Sequence, residues 1–131
     1  MALQLAQARI KYHSRWVVAY MEPRKAWLEI RRLRIALAPK AWEVQPQRYD
    51  PHVTVLRLEK EDMPADELWA LKPRDGELVE VAYDTTLRCA GVYWFFDAWS
   101  PELMAVRVSL GLKPLREGYF MQHITMGNMK K

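Results

Sequence analysis

The sequence predicts an α+β fold, a mainly antiparallel sheet with one long helix and one or two short ones. Three observations predict it. One proline-bounded segment repeats apolar residues at helical spacing, β-branched and aromatic runs surround it, and turn signals separate the later runs at short intervals. The chain has 131 residues and half of it is apolar, so a single domain over 1–131 with one core is expected.

Taken in order, Arg15–Tyr20 (Arg-Trp-Val-Val-Ala-Tyr) reads as a buried strand because branched and aromatic side chains suit a pleated surface. Pro23 fits the first turn of a helix running to about Ala38, before Pro39 stops it. Ala26, Trp27, Ile30, Leu33 and Leu37 form its core-facing stripe, while Arg24, Lys25, Arg31, Arg32 and Arg34 crowd the rest. Trp42–Gln47 adds a short strand before the Tyr49-Asp50-Pro51 turn, and His52–Leu58 is a clear strand. Asp62 is placed to cap a short helix through Leu71, with Pro64 near its start. After the Pro73-Arg74-Asp75-Gly76 turn, Glu77–Thr85, Thr86–Trp99, Leu103–Leu110 and Tyr119–Met126 all favour β-structure. No repeat, linker or low-complexity tract is evident.

Composition narrows the function classes. The lone Cys89 cannot form an internal disulfide and lies in an apolar run, where a buried, inert thiol is expected. No stretch approaches the ~20 apolar residues of a membrane span, and Met1–Ala8 lacks the pattern of a signal peptide. A cytoplasmic protein without a membrane partner is expected. Net charge is +4, but residues 1–50 hold ten Lys/Arg against four Asp/Glu, whereas 51–131 hold ten against twelve. That imbalance offers a basic face to an anionic ligand, although a solvated helix surface explains it equally well.

Two of the three histidines share a local pattern: His52-Val53-Thr54-Val55 and His123-Ile124-Thr125-Met126. On a strand alternate residues share a face, so each histidine stands beside its threonine while the apolar residues point to the core. With only four threonines in the chain, the recurrence is a specific signal. Cleaving a phosphodiester needs a base for the attacking hydroxyl and an acid for the leaving oxygen. Imidazoles with ordinary pKa near 6.5 serve both roles near neutrality. Threonine hydroxyls donate to non-bridging oxygens as charge is redistributed. No metal or other cofactor is required by such a site.

The two motifs resemble the paired His-x-Thr signature of the two-histidine phosphoesterase superfamily. That group includes RNA ligase-like cyclic phosphodiesterases, enzymes that cleave 2′-5′ oligoadenylate, and phage nucleases that destroy the cyclic oligonucleotide signals of bacterial CBASS defence. The resemblance implies a bilobal α+β fold with the motif strands side by side in a central cleft. It implies His52 and His123 as the acid/base pair, and Thr54 and Thr125 as phosphate-binding hydroxyls. The implied partner is a nucleotide or oligonucleotide substrate, cyclic oligonucleotide or RNA, met in the host cytoplasm if the protein is phage-encoded. The motif separation is similar to that of the compact phage members. Members usually continue past the second motif, so a trimmed lobe, a contribution from the N-terminal segment or a homo-oligomeric partner is expected to compensate.

Other residues are weighed against plain packing roles. Tyr12 and Trp94 are candidates for stacking on a base, Tyr119 shares the predicted face of His123, and Lys113 lies in a loop within reach of a phosphate. Each has a structural or solvated alternative. His13 lacks a threonine partner and is expected to be structural or exposed, and strand parity sets Arg57 on the face opposite His52. Zinc and two-metal sites are disfavoured because Cys89, His13, Asp50, Asp84 and Asp97 form no ligand cluster. The main competing function is a non-catalytic module that binds and sequesters RNA or a nucleotide.

Overall fold

A computed structural model of the chain describes residues 3–36, 44–45, 51–61, 63–91, 93–119 and 121–129. Eight strands and three helices lie among them. The strands are β1 (Leu3–Tyr12), β2 (Trp16–Met21), β3 (Val44–Gln45), β4 (His52–Arg57), β5 (Leu78–Asp84), β6 (Arg88–Ala90), β7 (Tyr93–Trp99) and β8 (Gln122–Met129). The helices are α1 (Pro23–Ala36), α2 (Asp66–Leu71) and α3 (Pro101–Ser109). The α+β class and the antiparallel sheet are as the sequence predicts.

The sheet order is β3-β8-β4-β2-β1-β5-β7-β6, and a further pairing of β7 with β8 closes β1, β2, β4, β8, β7 and β5 into a six-strand barrel. A narrow barrel leaves little interior room. Ala6, Ala8, Ala19 and Ala98 supply small side chains there, between Ile10, Val53, Val81 and Ile124. Tyr83 stacks on Phe96 with ring centres 5.7 Å apart. Helix α1 adds Ala26 to this core and α3 adds Leu103 and Val106, so sheet and helices share one apolar interior.

The barrel is built from two units of the same topology. β1, β2, α1 and β4 form one; β5, β7, α3 and β8 form the other. In each, two antiparallel strands lead into a helix that opens on proline, and the returning strand pairs with the strand before the helix. The sequence shows no repeat because only the topology and the His-x-Thr tripeptide are shared.

Each returning strand also carries a bulge at the same place. Val18 pairs with Thr54 but Val17 pairs with Leu56, leaving Val55 as the extra residue. Phe95 pairs with Thr125 but Trp94 pairs with Gly127, leaving Met126 as the extra residue. In both units the extra residue follows the motif threonine. A bulge re-aims the strand and reverses its facing beyond that point. Leu56 is therefore fully buried while Arg57 returns to the face of His52, opposite Trp16. Strand parity alone set Arg57 on the other face, and the bulge corrects it.

Other departures have equally local causes. Leu103–Leu110 is mostly helical, not a strand. Ser100 accepts a hydrogen bond from the Leu103 amide and Pro101 opens the helix, which outweighs the β-branched Val106 and Val108. β1 runs beside β2 and β5, although its Gln- and Ala-rich sequence lacks the usual strand composition. Thr86–Trp99 is divided by Gly91, whose φ of 60° turns the chain between β6 and β7. Cys89 is exposed because β6 is a three-residue edge strand. Trp27 lies under Arg31 at the surface, 61% exposed, instead of in the core. Leu37, the Pro39 stop, the Asp62 cap and most of Trp42–Gln47 lie outside the described residues. Among those described, no helix is long and apolar enough to cross a membrane.

Candidate active site

Both motifs lie on the outer face of the barrel. β4 and β8 are antiparallel neighbours, with His52 opposite Thr125 and Val53 opposite Ile124. Val53 and Ile124 are buried in the core, so their neighbours His52, Thr54, His123 and Thr125 turn outward together. Continuing that register sets Thr54 across from His123. Each histidine thus faces the other motif's threonine. The diagonal from His52 to His123 is roughly 7 Å between Cβ atoms, short enough for two rings to address one phosphorus.

Register carries two outward rows round the barrel wall, through β1, β2, β4, β8 and β7. One row runs Arg9, Tyr20, His52, Thr125, Phe95. The next runs Lys11, Val18, Thr54 and then His123 and Asp97. Tyr20, Phe95 and Asp97 carry no motif signal in the sequence, and they stand beside the motifs only because the fold brings their strands together.

The two histidines have different surroundings. His52 is 6% exposed, held edge-on by Trp16 and Tyr20 with ring centres 5.5 and 5.9 Å away. Tyr20 Oη lies 2.8 Å from His13 Nε2, and His13 stacks on Trp16 at 5.0 Å. His13 is thus part of the aromatic packing around His52. His123 is half-buried between Phe95, at 4.5 Å, and Tyr119, at 5.7 Å. Its Nε2 is 3.8 Å from Asp97 Oδ1, an electrostatic contact too long for a hydrogen bond. Burial holds the His123 pKa below its ordinary value. Asp97 acts the other way, and Arg88, 3.0 Å from Asp97, adds to the lowering.

The remaining candidates separate clearly. Tyr119 touches His123, and Arg116 lies over its ring. Tyr12 faces the core: its hydroxyl donates to the Pro73 carbonyl at 2.9 Å, its ring meets Trp69, and burial pushes its pKa up. It is not among the groups around the histidines. Trp94 alternates with Phe95 and so turns to the side of buried Phe96, with its indole nitrogen buried; Tyr93 and Phe95 take the site face instead. Lys113 has an exposed side chain, and its carbonyl accepts from Arg107 Nε at 2.8 Å.

Behind the site, Arg107 of α3 anchors β4. Its guanidinium donates to the Val55 carbonyl at 2.8 Å and to both Glu61 carboxylate oxygens, in a nearly buried pair. The bulge residue after Thr54 is thereby tied to the core. Among the described residues, no group of three or more His, Cys, Asp or Glu side chains is close enough to hold a metal ion. Comparison of the chain with family models, curated proteins and solved structures finds no match.

Proposed function

We propose that the protein is a metal-independent phosphodiesterase of the two-histidine type, acting on a nucleotide linkage. The observation that carries this reading is the pairing of His52 with Thr125, which sets both motifs on one face of neighbouring strands. The paired ββαβ units, three barrel strands to each, support a two-fold plan with one unit to each motif. Matching bulges after Thr54 and Thr125 support equivalent roles for the two tripeptides.

In the proposed reaction the phosphate lies between the rows. The lowered pKa of His123 favours the neutral ring required of a base, which takes the proton from the attacking 2′-hydroxyl or water. In this assignment His52 is the acid partner, giving a proton to the leaving oxygen as the P–O bond breaks. Thr54 and Thr125 donate to the two non-bridging oxygens. Attack by a neighbouring 2′-hydroxyl leaves a cyclic phosphate and a free hydroxyl. Degradation of cyclic oligonucleotide immune signals is the substrate assignment we favour within this class, on the strength of the motif separation.

One observation favours the sequestering alternative: the slight exposure of His52 leaves little of its ring open to a leaving group. Turnover assays separate the two. With excess chelator, cyclic di- and trinucleotides, linear oligoadenylate and RNA ending in a 2′,3′-cyclic phosphate are each incubated with the protein. Cleavage of at least one, slowed by orders of magnitude in His123→Ala, is expected. Tight binding with every substrate left intact would establish sequestration and overturn the enzyme. Cleaved linear substrate beside intact cyclic ones would reject the immune-signal assignment alone.

A further inference from the structure

We propose that Arg116, held over the Tyr119 ring beside His123, binds the phosphate on the 5′ side of the nucleotide under attack, so that the preferred substrate is an oligonucleotide carrying a second phosphate there. This rests on reading the motif pair as a phosphate site and deepens it.

The cation reaches the site through a chain of ring contacts. The Arg116 guanidinium lies over the Tyr119 ring, 5.2 Å from its centre. That centre is 5.7 Å from the centre of the His123 ring, which Phe95 meets at 4.5 Å. Local backbone fixes the arrangement. The Tyr119 amide donates to the Arg116 carbonyl at 3.0 Å, closing a four-residue turn in which Gly118 has a φ of 86°. Arginine and ring are thereby set before a ligand arrives, which lowers the ordering cost of binding. Tyr119 is 43% exposed and Arg116 is partly exposed, so an anion outside can meet the guanidinium.

Charge singles out Arg116 from the arginines nearby. Arg88 stands across from Phe95, but Asp97, itself 3.8 Å from His123, neutralises it at 3.0 Å. Arg57, on the face of His52, is matched by Glu59. Arg116 makes no ion pair among the described residues. A guanidinium lying over a ring keeps the N–H donors at its edge for a bidentate phosphate. In the reaction proposed above, His123 takes the proton of the attacking 2′-hydroxyl, so the nucleotide that bears it lies on the His123 side. Its own 5′-phosphate is one nucleotide from the scissile one, a separation of the order that two ring contacts and a long side chain span. A cyclic oligonucleotide has a phosphate at that place on every nucleotide. A lone 2′,3′-cyclic mononucleotide does not.

The test compares adenylyl-adenosine, which has one phosphate, with its 5′-phosphorylated and 3′-phosphorylated forms. Cleavage is followed on the three dinucleotides, and binding on their analogues that lack the attacking 2′-hydroxyl. Wild-type protein should prefer the 5′-phosphorylated form by about tenfold in kcat/KM and in affinity, the scale of one charge-assisted contact. In Arg116→Gln that ratio should fall toward one, with Arg116→Lys keeping part of it. The salt dependence of affinity for the 5′-phosphorylated form should lose about 0.7 in its log–log slope in Arg116→Gln. No 5′ preference in the wild type, or one that Arg116→Gln leaves intact, overturns the subsite. A 3′ preference that Arg116→Gln removes overturns the 5′ assignment and exchanges the roles of the two histidines. If cleavage occurs without any preference, the phosphodiesterase stands and the subsite falls. If no form is cleaved yet Arg116→Gln selectively weakens binding of the 5′-phosphorylated analogue, the subsite stands and the hydrolytic reading falls. Absence of both binding and cleavage removes both.

Discussion

His52 on β4 sits directly opposite Thr125 on β8, and the same register continued sets Thr54 across from His123. In the proposed site the two tripeptides work as one unit with crossed pairs. Residues that work as a unit show effects that do not add.

From this crossing, His52→Ala and His123→Ala should each lower kcat by roughly 10²–10⁴. The double variant should be little worse than the poorer single one. Thr54→Ala and Thr125→Ala should cost roughly 10²-fold each, through loss of one donor to the phosphate oxygens. Steady-state kinetics, with circular dichroism to check the fold, measures this. Additive losses from the two histidines would argue against one shared site.

The charges around His123 predict a pH effect of definite sign. Burial lowers its pKa below the ordinary ~6.5, with Asp97 opposing and Arg88 reinforcing. The acid limb of kcat/KM should therefore lie below that value. Asp97→Asn removes the opposing charge and should move the limb to lower pH; Arg88→Gln should move it to higher pH. Stability follows by linkage. The unfolded chain binds a proton at this ring before the folded protein does, so stability rises with pH here. The contribution is complete above ~6.5 and is lost as pH falls through the folded value. Proton-detected titration of the ring and pH–rate profiles check both statements.

Arg107 and Glu61 are nearly enclosed where α3 meets the end of β4. Removing one partner leaves the other charge buried and unpaired, so Arg107→Met should destabilise the fold by about 3–5 kcal/mol. Replacing both, with Glu61→Leu added, should recover much of that loss, because the pair itself repays little beyond its desolvation. Denaturant unfolding of the three variants measures the cycle. A double variant as unstable as the single would show that the Val55 carbonyl contact dominates.

Ser100 starts α3 and is fully buried. Its hydroxyl accepts from the Leu103 amide and donates to the Glu80 carbonyl at 2.8 Å, linking the helix start to β5. Ser100→Ala should cost about 2 kcal/mol, combining a lost cap with an orphaned strand carbonyl. Thermal and chemical unfolding would detect it, and an unchanged midpoint would refute it.

Local order was legible where local chemistry dominates. Pro23 and the spacing of Ala26, Ile30 and Leu33 marked α1, and the alternation around His52 and His123 marked β4 and β8. Helix α3 stands where branched residues predict a strand, because the Ser100-Pro101 cap outweighs them. β1 was harder, since an alanine-rich strand is favoured only by the narrow barrel that it lines.

By itself the sequence determined the α+β class and the outward pairing of each histidine with a threonine, because strand periodicity is a property of one segment. Tertiary structure alone decided that His52 meets Thr125, that Val55 and Met126 bulge, and that Asp97 lies opposite His123. Those are matters of register between distant segments. Register is set by packing of the whole core, so no single stretch of chain contains it.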